Sequence, residues 1–124
     1  MMQEEEKTYT LGYKLYEEGC YKDAASLFTT LALKDPFEEA YWRGLASSKQ
    51  MAGKYEEALH AWSVVALLEE KDGTSHFHAA ECLFALHDPS EGKKALMLAE
   101  EKLKKTDPLQ KKIQFLREYH DIKN

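Results

Sequence analysis

The strongest constraint on the fold of this 124-residue chain is an internal repeat with a period of 34 residues. A unit of this length accommodates two short helices joined by a tight turn, and glycine at the joint permits the positive φ of such a turn. Positions related by the period carry identical or similar residues; the matching pairs are Leu11/Leu45, Gly19/Gly53, Tyr21/Tyr55, Ala24/Ala58, Phe28/Trp62 and Leu31/Val65. The period predicts stacked helix pairs, each burying an apolar face against the next.

The recurring residues follow the tetratricopeptide pattern W…L-G…Y…A…F…P. The pattern is met by Leu11-Gly12, Ala24, Phe28 and Pro36 in the first unit and by Trp42, Leu45, Ala58 and Trp62 in the second. A third unit keeps the register at Ala80, Leu83, Leu96 and Ala99, but it has His87 and Gly92 where the earlier units have glycine and alanine. We predict an all-α tetratricopeptide (TPR) solenoid in a single domain, 1–124, with repeats at 5–35, 36–70 and 73–105.

The predicted helices span 5–18, 21–34, 36–52, 55–69, 74–86, 89–105 and 108–122. Asp35-Pro36 predicts an N-cap followed by proline at the first helical position, with Glu38 completing a capping box. Asp107-Pro108 followed by Gln110 repeats this arrangement.

The last helix, 108–122, carries an apolar stripe of Leu109, Ile113 and Leu116 with basic residues elsewhere. This pattern is typical of a helix that covers one end of a solenoid, so we predict three helix pairs plus a C-terminal capping helix. Docking of a basic amphipathic helix on a membrane is the alternative interpretation.

Composition and charge exclude several classes of function. The net charge of −5 argues against nucleic acid as a partner, and residues 1–70 hold 13 acidic and 7 basic side chains, net −6. No apolar window approaches the length of a membrane span, and the two cysteines fit a reducing cytoplasm rather than a disulfide framework. No phosphate loop, nucleophile elbow or dinucleotide fingerprint occurs, which predicts a protein without catalytic activity or cofactor.

The first helix of each pair lines the concave side of such a solenoid, so a ligand is expected on the side opposite its packed stripe. Leu11, Gly12 and Leu15 are expected to face the paired helix, which leaves the first-helix tyrosines as a second, open face. Helical spacing then predicts a peptide-binding groove lined by Tyr9, Tyr13, Tyr16, Arg43, Ser47, Gln50, Phe77, Glu81 and Phe84. Rigid aromatic side chains on an open groove suit peptide capture, although such a stripe is also typical of a core.

Two other clusters are interpreted structurally. His76, His78, Glu81 and Cys82 share one helix, and His78 with Cys82 has the i, i+4 spacing of a metal pair, but no second ligand pair follows, so we predict no metal site. The charged run from Glu100 to Lys105 is interpreted as a solvated helix face near a C-terminal end, with a partner-steering patch as the alternative.

The segment Phe77-His78-Ala79-Ala80-Glu81-Cys82-Leu83 resembles the hallmark of the class II chaperones of bacterial type III secretion, the low-calcium-response protein H (LcrH/SycD) family. The segments Gly19-x-Tyr21-x-x-Ala24, Gly44-Leu45-Ala46 and Gly53-x-Tyr55-x-x-Ala58 are similar to its other repeats, and the resemblance covers about residues 8–103.

The resemblance implies a cytoplasmic chaperone that keeps hydrophobic translocator proteins soluble, gripping a short extended segment near their N-termini. Tyr9, Tyr13 and Tyr16 match the family's aromatic groove positions. Family members carry an additional N-terminal segment used in dimerisation, whereas here the first repeat begins close to Met1, so the resemblance leaves a homodimer open. A needle-subunit chaperone, which would cradle a helix, and a general TPR scaffold or regulator are the alternative functions.

Overall fold

The computed structural model describes residues 3–123, with side chains described for residues 3–121. The described part is all-helical, with α1 (Glu4–Glu17), α2 (Tyr21–Lys34), α3 (Glu39–Met51), α4 (Tyr55–Leu68), α5 (Gly73–Ala85), α6 (Pro89–Lys102) and α7 (Leu109–Lys123). Met1, Met2 and Asn124, which the predicted domain includes, lie outside the described residues. From α1 to α6 each helix packs mainly against its neighbours in sequence, and α7 packs on α6.

The 34-residue period is visible directly in the core, because equivalent positions of the three repeats are buried together. The second helix of each pair supplies a small residue, a large apolar residue and an aliphatic or small residue one turn later. All of these are buried, namely Ala24, Ala58 and Gly92, then Phe28, Trp62 and Leu96, then Leu31, Val65 and Ala99. Burial of each large member stabilises the fold by about 1.5–3 kcal/mol.

Phe28 lies where α1, α2 and α3 meet, and its ring occupies the space that two glycines leave. A Cβ added to Gly12 would lie 2.9 Å from the ring, and one added to Gly44 would lie 2.6 Å from it. Glycine at these two positions therefore lets three helices close on one aromatic side chain.

The turns inside the repeats share one conformation although the third has a different residue. Gly19 has φ 84° and Gly53 has φ 78°, and His87, which occupies the equivalent position in the degenerate repeat, has φ 62°. The positive φ is a property of the turn, and the third repeat adopts it with a residue for which it is unfavourable.

One predicted helix start and one predicted helix end differ from the structure by three residues. α3 begins at Glu39 rather than at residue 36, because Asp35 and Glu38 close a turn, with the Glu38 amide donating to the Asp35 carbonyl over 3.2 Å. Asp35 and Glu38 thus form no capping box. α6 ends at Lys102 rather than residue 105, since Leu103 adopts an extended backbone.

The start of α7 follows half of the prediction. The Asp107 carboxylate accepts a hydrogen bond from the Leu109 amide at 2.9 Å, as expected of a cap. The side-chain amide of Gln110 does not cap the helix; its Nε2 donates to the backbone carbonyl groups of Glu100, Leu103 and Lys104, which ties α7 to the end of α6. Ile113 is fully buried and Leu109 and Leu116 pack on the same cluster, so the apolar stripe of α7 covers the last repeat as predicted.

One predicted inward residue of α1 is exposed. Leu11 is 47% exposed, whereas Leu45, its equivalent in the second repeat, is only 9% exposed. Leu45 packs between α2 and α4, and no described helix covers α1 on the corresponding side. The expectation that Leu11 faces the paired helix was therefore wrong, while Gly12 and Leu15 do pack on the core.

Candidate functional site

The predicted groove begins on α1, where three tyrosines are half-buried and contact the core as well as the surface. Tyr9 and Tyr13 meet the Phe28 ring edge-on at centroid distances of 5.9 and 5.0 Å. Tyr16 continues the row, 6.2 Å from Tyr13. These tyrosines pack on the outside of the first core cluster, which is the group of buried residues around Phe28, Leu45, Trp62 and Cys82. The two interpretations of the stripe, as core and as open surface, therefore both apply in part.

Two further tyrosines complete this surface, and neither was among the predicted groove residues. Tyr41 at the start of α3 lies 5.7 Å from Tyr9, and Tyr21 at the start of α2 lies 5.4 Å from Tyr16. We call Tyr9, Tyr13, Tyr16, Tyr21 and Tyr41 the tyrosine cluster. Burial, reinforced by Tyr9, raises the pKa of Tyr13 well above its ordinary value, and burial also raises the pKa of Tyr16 and of Tyr41. Tyr13, Tyr16 and Tyr41 therefore present neutral, amphipathic rings.

The middle of the surface is a hydrogen-bonded chain across three helices. The Trp62 indole N–H of α4 donates to Oε1 of Gln50 on α3 at 2.8 Å, and Nε2 of Gln50 donates to Oε1 of Glu81 on α5 at 3.0 Å. Nδ1 of His78 lies 2.7 Å from the same Glu81 oxygen, and the His78 ring stacks on Trp62 at 4.7 Å. We call these four residues the polar network.

The polar network brings together two predicted residues, Gln50 and Glu81, and adds two that the sequence analysis assigned elsewhere. Burial by itself raises the pKa of Glu81, but the hydrogen bonds with His78 and Gln50 outweigh it and lower the pKa below its ordinary value. Glu81 is thus a carboxylate at neutral pH, and its side chain remains 36% exposed. The i, i+3 spacing of His78 and Glu81 was a signal for this pair.

Arg43 is held by two carboxylates. Its guanidinium lies 2.8 Å from Glu39 on the same helix and 2.7 Å from Asp72, the N-cap of α5. Burial opposes ionisation of Asp72, but hydrogen bonds from Arg43 and the Thr74 amide outweigh it and lower the pKa of this carboxyl. Arg43 therefore joins the second and third repeats, and Ser47, one turn further along α3, is half-buried.

The structure corrects the aromatic part of the prediction on α5. Phe77 is only 2% exposed, because it packs in the second core cluster with Ala80, Leu96 and Ile113. The prediction that Phe77 lines an open groove was wrong. Phe77 and Glu81 lie one turn apart, about 40° around the helix, and packing against α6 and α7 encloses Phe77 while Glu81 stays partly exposed.

Phe84 is directed toward α6 and α7 rather than along the surface of Glu81. A Cβ on Gly92 would lie 2.7 Å from its ring, and His120 of α7 stacks on it at 3.7 Å with an interplanar angle of 7°. Glycine in place of the alanine of the earlier repeats makes the room for this ring, and α7 covers it. The prediction of Phe84 as a groove residue was therefore also wrong.

The histidine and cysteine cluster of α5 does not assemble a metal centre. Among the described residues no three His, Cys, Asp or Glu side chains are placed to share an ion. Burial raises the pKa of the Cys82 thiol to about 12, which keeps it protonated inside the first core cluster. Within residues 3–123, no helix has both the length and the apolar run needed to cross a bilayer.

Stacked helix pairs, each with two helices joined by a tight turn of positive φ, define a tetratricopeptide-repeat protein. A family profile described as tetratricopeptide repeat matches residues 40–72. The all-α TPR prediction is thereby confirmed.

Comparison with known proteins narrows the class further. Low calcium response locus protein H of Yersinia pestis is 34% identical over 96 residues, which cover 77% of this chain and 57% of the relative. The Yersinia enterocolitica chaperone SycD, solved with a peptide of the translocator YopD, superimposes with a TM-score of 0.88 at 29% identity, covering 95% of this chain and 92% of SycD. PcrH of Pseudomonas aeruginosa, solved with the chaperone binding region of PopB, gives a TM-score of 0.78 at 30% identity, covering 90% of this chain and 91% of PcrH.

The chain belongs to the type III secretion translocator chaperones, the family of low calcium response locus protein H, SycD and PcrH. The resemblance of the α5 segment to this family is confirmed. The chain spans somewhat more than half, 57%, of the curated relatives that it matches.

Proposed function

We propose that this protein is a chaperone of type III secretion translocators and holds a translocator segment on the surface formed by α1, α3 and α5. The observation that carries the proposal is the tyrosine cluster, on a backbone that superimposes on SycD, which was solved with a translocator peptide. Half-buried tyrosines supply rigid anchoring surface at low entropic cost.

Anchoring is proposed to come from Tyr9, Tyr13 and Tyr16, with Tyr41 beside them. The polar network lies at the other end of the surface, where the hydrogen bonds from Gln50 and His78 both use Oε1 of Glu81. The remaining carboxylate oxygen of Glu81 is proposed to accept hydrogen bonds from backbone N–H groups of an extended segment, and the Ser47 hydroxyl to accept from or donate to its backbone. Arg43, held by Glu39 and Asp72, is proposed to shape the surface rather than to grip the ligand.

The proposal includes a cytoplasmic location and the absence of catalysis. SycD is named as a translocator chaperone, and chaperones act by binding. A membrane-seeking translocator segment exposes apolar surface that must be covered before export, and covering it requires neither a cofactor nor a covalent step.

The test uses peptides that tile the N-terminal regions of type III translocators, with binding measured by fluorescence anisotropy. Alanine at Tyr9 or Tyr13 would remove packing on Phe28, so the surface is better blocked by Ser47→Arg on α3. The matched control is Ser63→Arg, which places the same side chain at an exposed position of α4. We expect one tile to bind at about micromolar Kd, about −8 kcal/mol, Ser47→Arg to lose about tenfold or more in affinity, and Ser63→Arg to match the wild type.

Equal binding by both variants, or no binding of any tile by the wild type, would contradict the proposal. Circular dichroism of the mixture separates the ligand conformations, since an extended segment adds no helical signal. A gain of helix on binding would instead indicate the needle-subunit type of chaperone.

A further inference from the structure

A second concave feature lies between α2 and α4, and residues of α3 line it as well. It consists of two adjoining cavities of about 380 and 440 Å³ that share Thr29 and Lys49 in their walls. Buried small or apolar side chains form the floor, namely Ala25, Leu45 and Ala61. We call this feature the outer cleft.

The outer cleft lies on the opposite side of α3 from the surface of the proposed function. Arg43, Ser47 and Gln50 point to one side of the helix, and Leu45, Lys49 and Ala52 line the outer cleft. Each residue of the second set follows one of the first by two positions, which is about 200° of rotation at 100° per residue. A ligand in the outer cleft therefore leaves the first surface free.

One end of the outer cleft is basic in an otherwise acidic half of the protein. Lys22, Lys49 and Lys54 line the smaller cavity, and no acidic side chain does so. Residues 1–70 hold only 7 basic side chains against 13 acidic ones, and three of those seven converge here. Lys49 also pairs with Glu57 across the cleft at 3.1 Å, which leaves Lys22 and Lys54 as exposed charges with no ion pair among the described residues.

The positions of Lys22 and Lys54 are unfavourable for the stability of the free protein. Lys22 lies in the first turn of α2 and Lys54 is the N-cap of α4, where it provides no side-chain cap. Cations at helix N-termini oppose the helix dipole. Lysines that cost stability and converge on a concave site point to a role in binding.

We propose that the outer cleft docks an acidic polypeptide segment of a second partner, with carboxylates over Lys22, Lys49 and Lys54. Small side chains of the segment fit over Ala25 on the floor, beside Thr29 in the wall. Glu56 and Glu57 lie at the other end of the cleft. They repel a continuous polyanion such as a nucleic acid strand, in which negative charges follow one another every few ångströms. They accept a polypeptide whose acidic residues are separated by uncharged ones. The geometry thus favours a polypeptide over nucleic acid.

The probe is a short fluorescein-labelled peptide in which glutamate alternates with alanine, and its counterpart carries glutamine in place of glutamate. Binding to the full chain is measured at physiological salt for the wild type, for Lys22→Glu/Lys54→Glu, and for Lys7→Glu/Lys34→Glu. The last variant has the same change of charge at exposed positions outside the cleft. A translocator tile that binds the first surface is measured in parallel.

We expect the glutamate peptide to bind, the glutamine peptide not to bind, and Lys22→Glu/Lys54→Glu to lose about tenfold or more in affinity. The same variant should melt no lower than the wild type and bind the translocator tile unchanged, a combination that a structural role of these lysines does not produce. Equal loss in the Lys7→Glu/Lys34→Glu variant, or binding of a single-stranded oligonucleotide as tight as that of the peptide, would overturn the proposal. Because the tile reports on the first surface, this test succeeds or fails independently of the proposed function.

Discussion

Gly12 and Gly44 both contact the Phe28 ring, and the absence of a side chain at these two glycines sets how closely α1 and α3 approach α2. The ring is fully buried, and Tyr9 and Tyr13 meet it edge-on from the surface. Changes at Phe28 therefore reach the tyrosine cluster directly. The surface of the proposed function and the core thus share the Phe28 ring.

We predict that Gly44→Ala destabilises the protein by about 1–3 kcal/mol. Alanine favours helix by about 1 kcal/mol over glycine, but its Cβ would lie 2.6 Å from a ring that cannot retreat. Urea unfolding followed by circular dichroism gives the change in the free energy of unfolding. Gly12→Ala, with a closest approach of 2.9 Å, serves as the graded comparison and should cost less; a stabilised Gly44→Ala variant would show that the ring moves aside.

At the scale of elements, the helix-turn-helix unit is conserved in conformation where its sequence is not. The turn between α5 and α6 uses the same left-handed backbone as the two preceding turns, and the His87 amide donates to the Phe84 carbonyl at 3.1 Å. Tertiary packing of α5 on α6 fixes this geometry, and the side chain at the turn accommodates it.

We predict that His87→Gly raises the free energy of unfolding by about 1 kcal/mol, because a left-handed backbone costs a non-glycine residue about that much. Differential scanning calorimetry checks this as a higher Tm. His60→Gly at an exposed position inside α4 is the opposite control and should lower stability by about 1 kcal/mol. A lower Tm for His87→Gly would mean that the histidine side chain contributes a contact that outweighs the backbone strain.

At the scale of the whole molecule, α5 joins the two core clusters. Cys82 belongs to the first cluster, while Phe77 and Ala80 belong to the second. The Arg43–Asp72 ion pair and the Gln50–Glu81 hydrogen bond cross the same boundary between repeats. We propose on this basis that the described repeats behave as the single domain that the sequence predicts.

We predict that acid weakens this boundary. The folded-state pKa values of Asp72 and Glu81 are lower than their ordinary values of 3.8 and 4.5. A lowered pKa gives stability that is fully present above the ordinary value and is lost as the pH falls through the folded-state value. The free energy of unfolding in urea should therefore not change with pH through these groups near neutral pH, and it should fall below about pH 4.

The control for the acid response is Asp72→Asn, which cannot ionise but keeps the size of the side chain. This variant should be less stable than the wild type at neutral pH, and the two should converge as the pH is lowered. A constant difference between them at every pH would show that the Asp72 charge contributes nothing to the boundary between the repeats.

The sequence by itself determined the repeat, the helices and the buried positions in the second helix of each pair, because the 34-residue period shows which residues face a neighbour of the same kind. The positions of Ala24, Phe28 and Leu31 in the first repeat, and the equivalent positions of the other two repeats, are all buried. It also identified Gln50 and Glu81 as surface groups and the α5 segment as that of a chaperone family. These features depend on local spacing, which is written along the chain.

The tertiary structure alone decided which faces stay open. Phe77 and Phe84 have the spacing of groove residues, yet a core cluster encloses one and Gly92 with α7 covers the other. The polar network likewise depends on Trp62 and Gln50 meeting α5 across two helix boundaries. Helical periodicity fixes the direction of a side chain relative to its own helix, and only the packing of helices distant in sequence determines what lies in that direction.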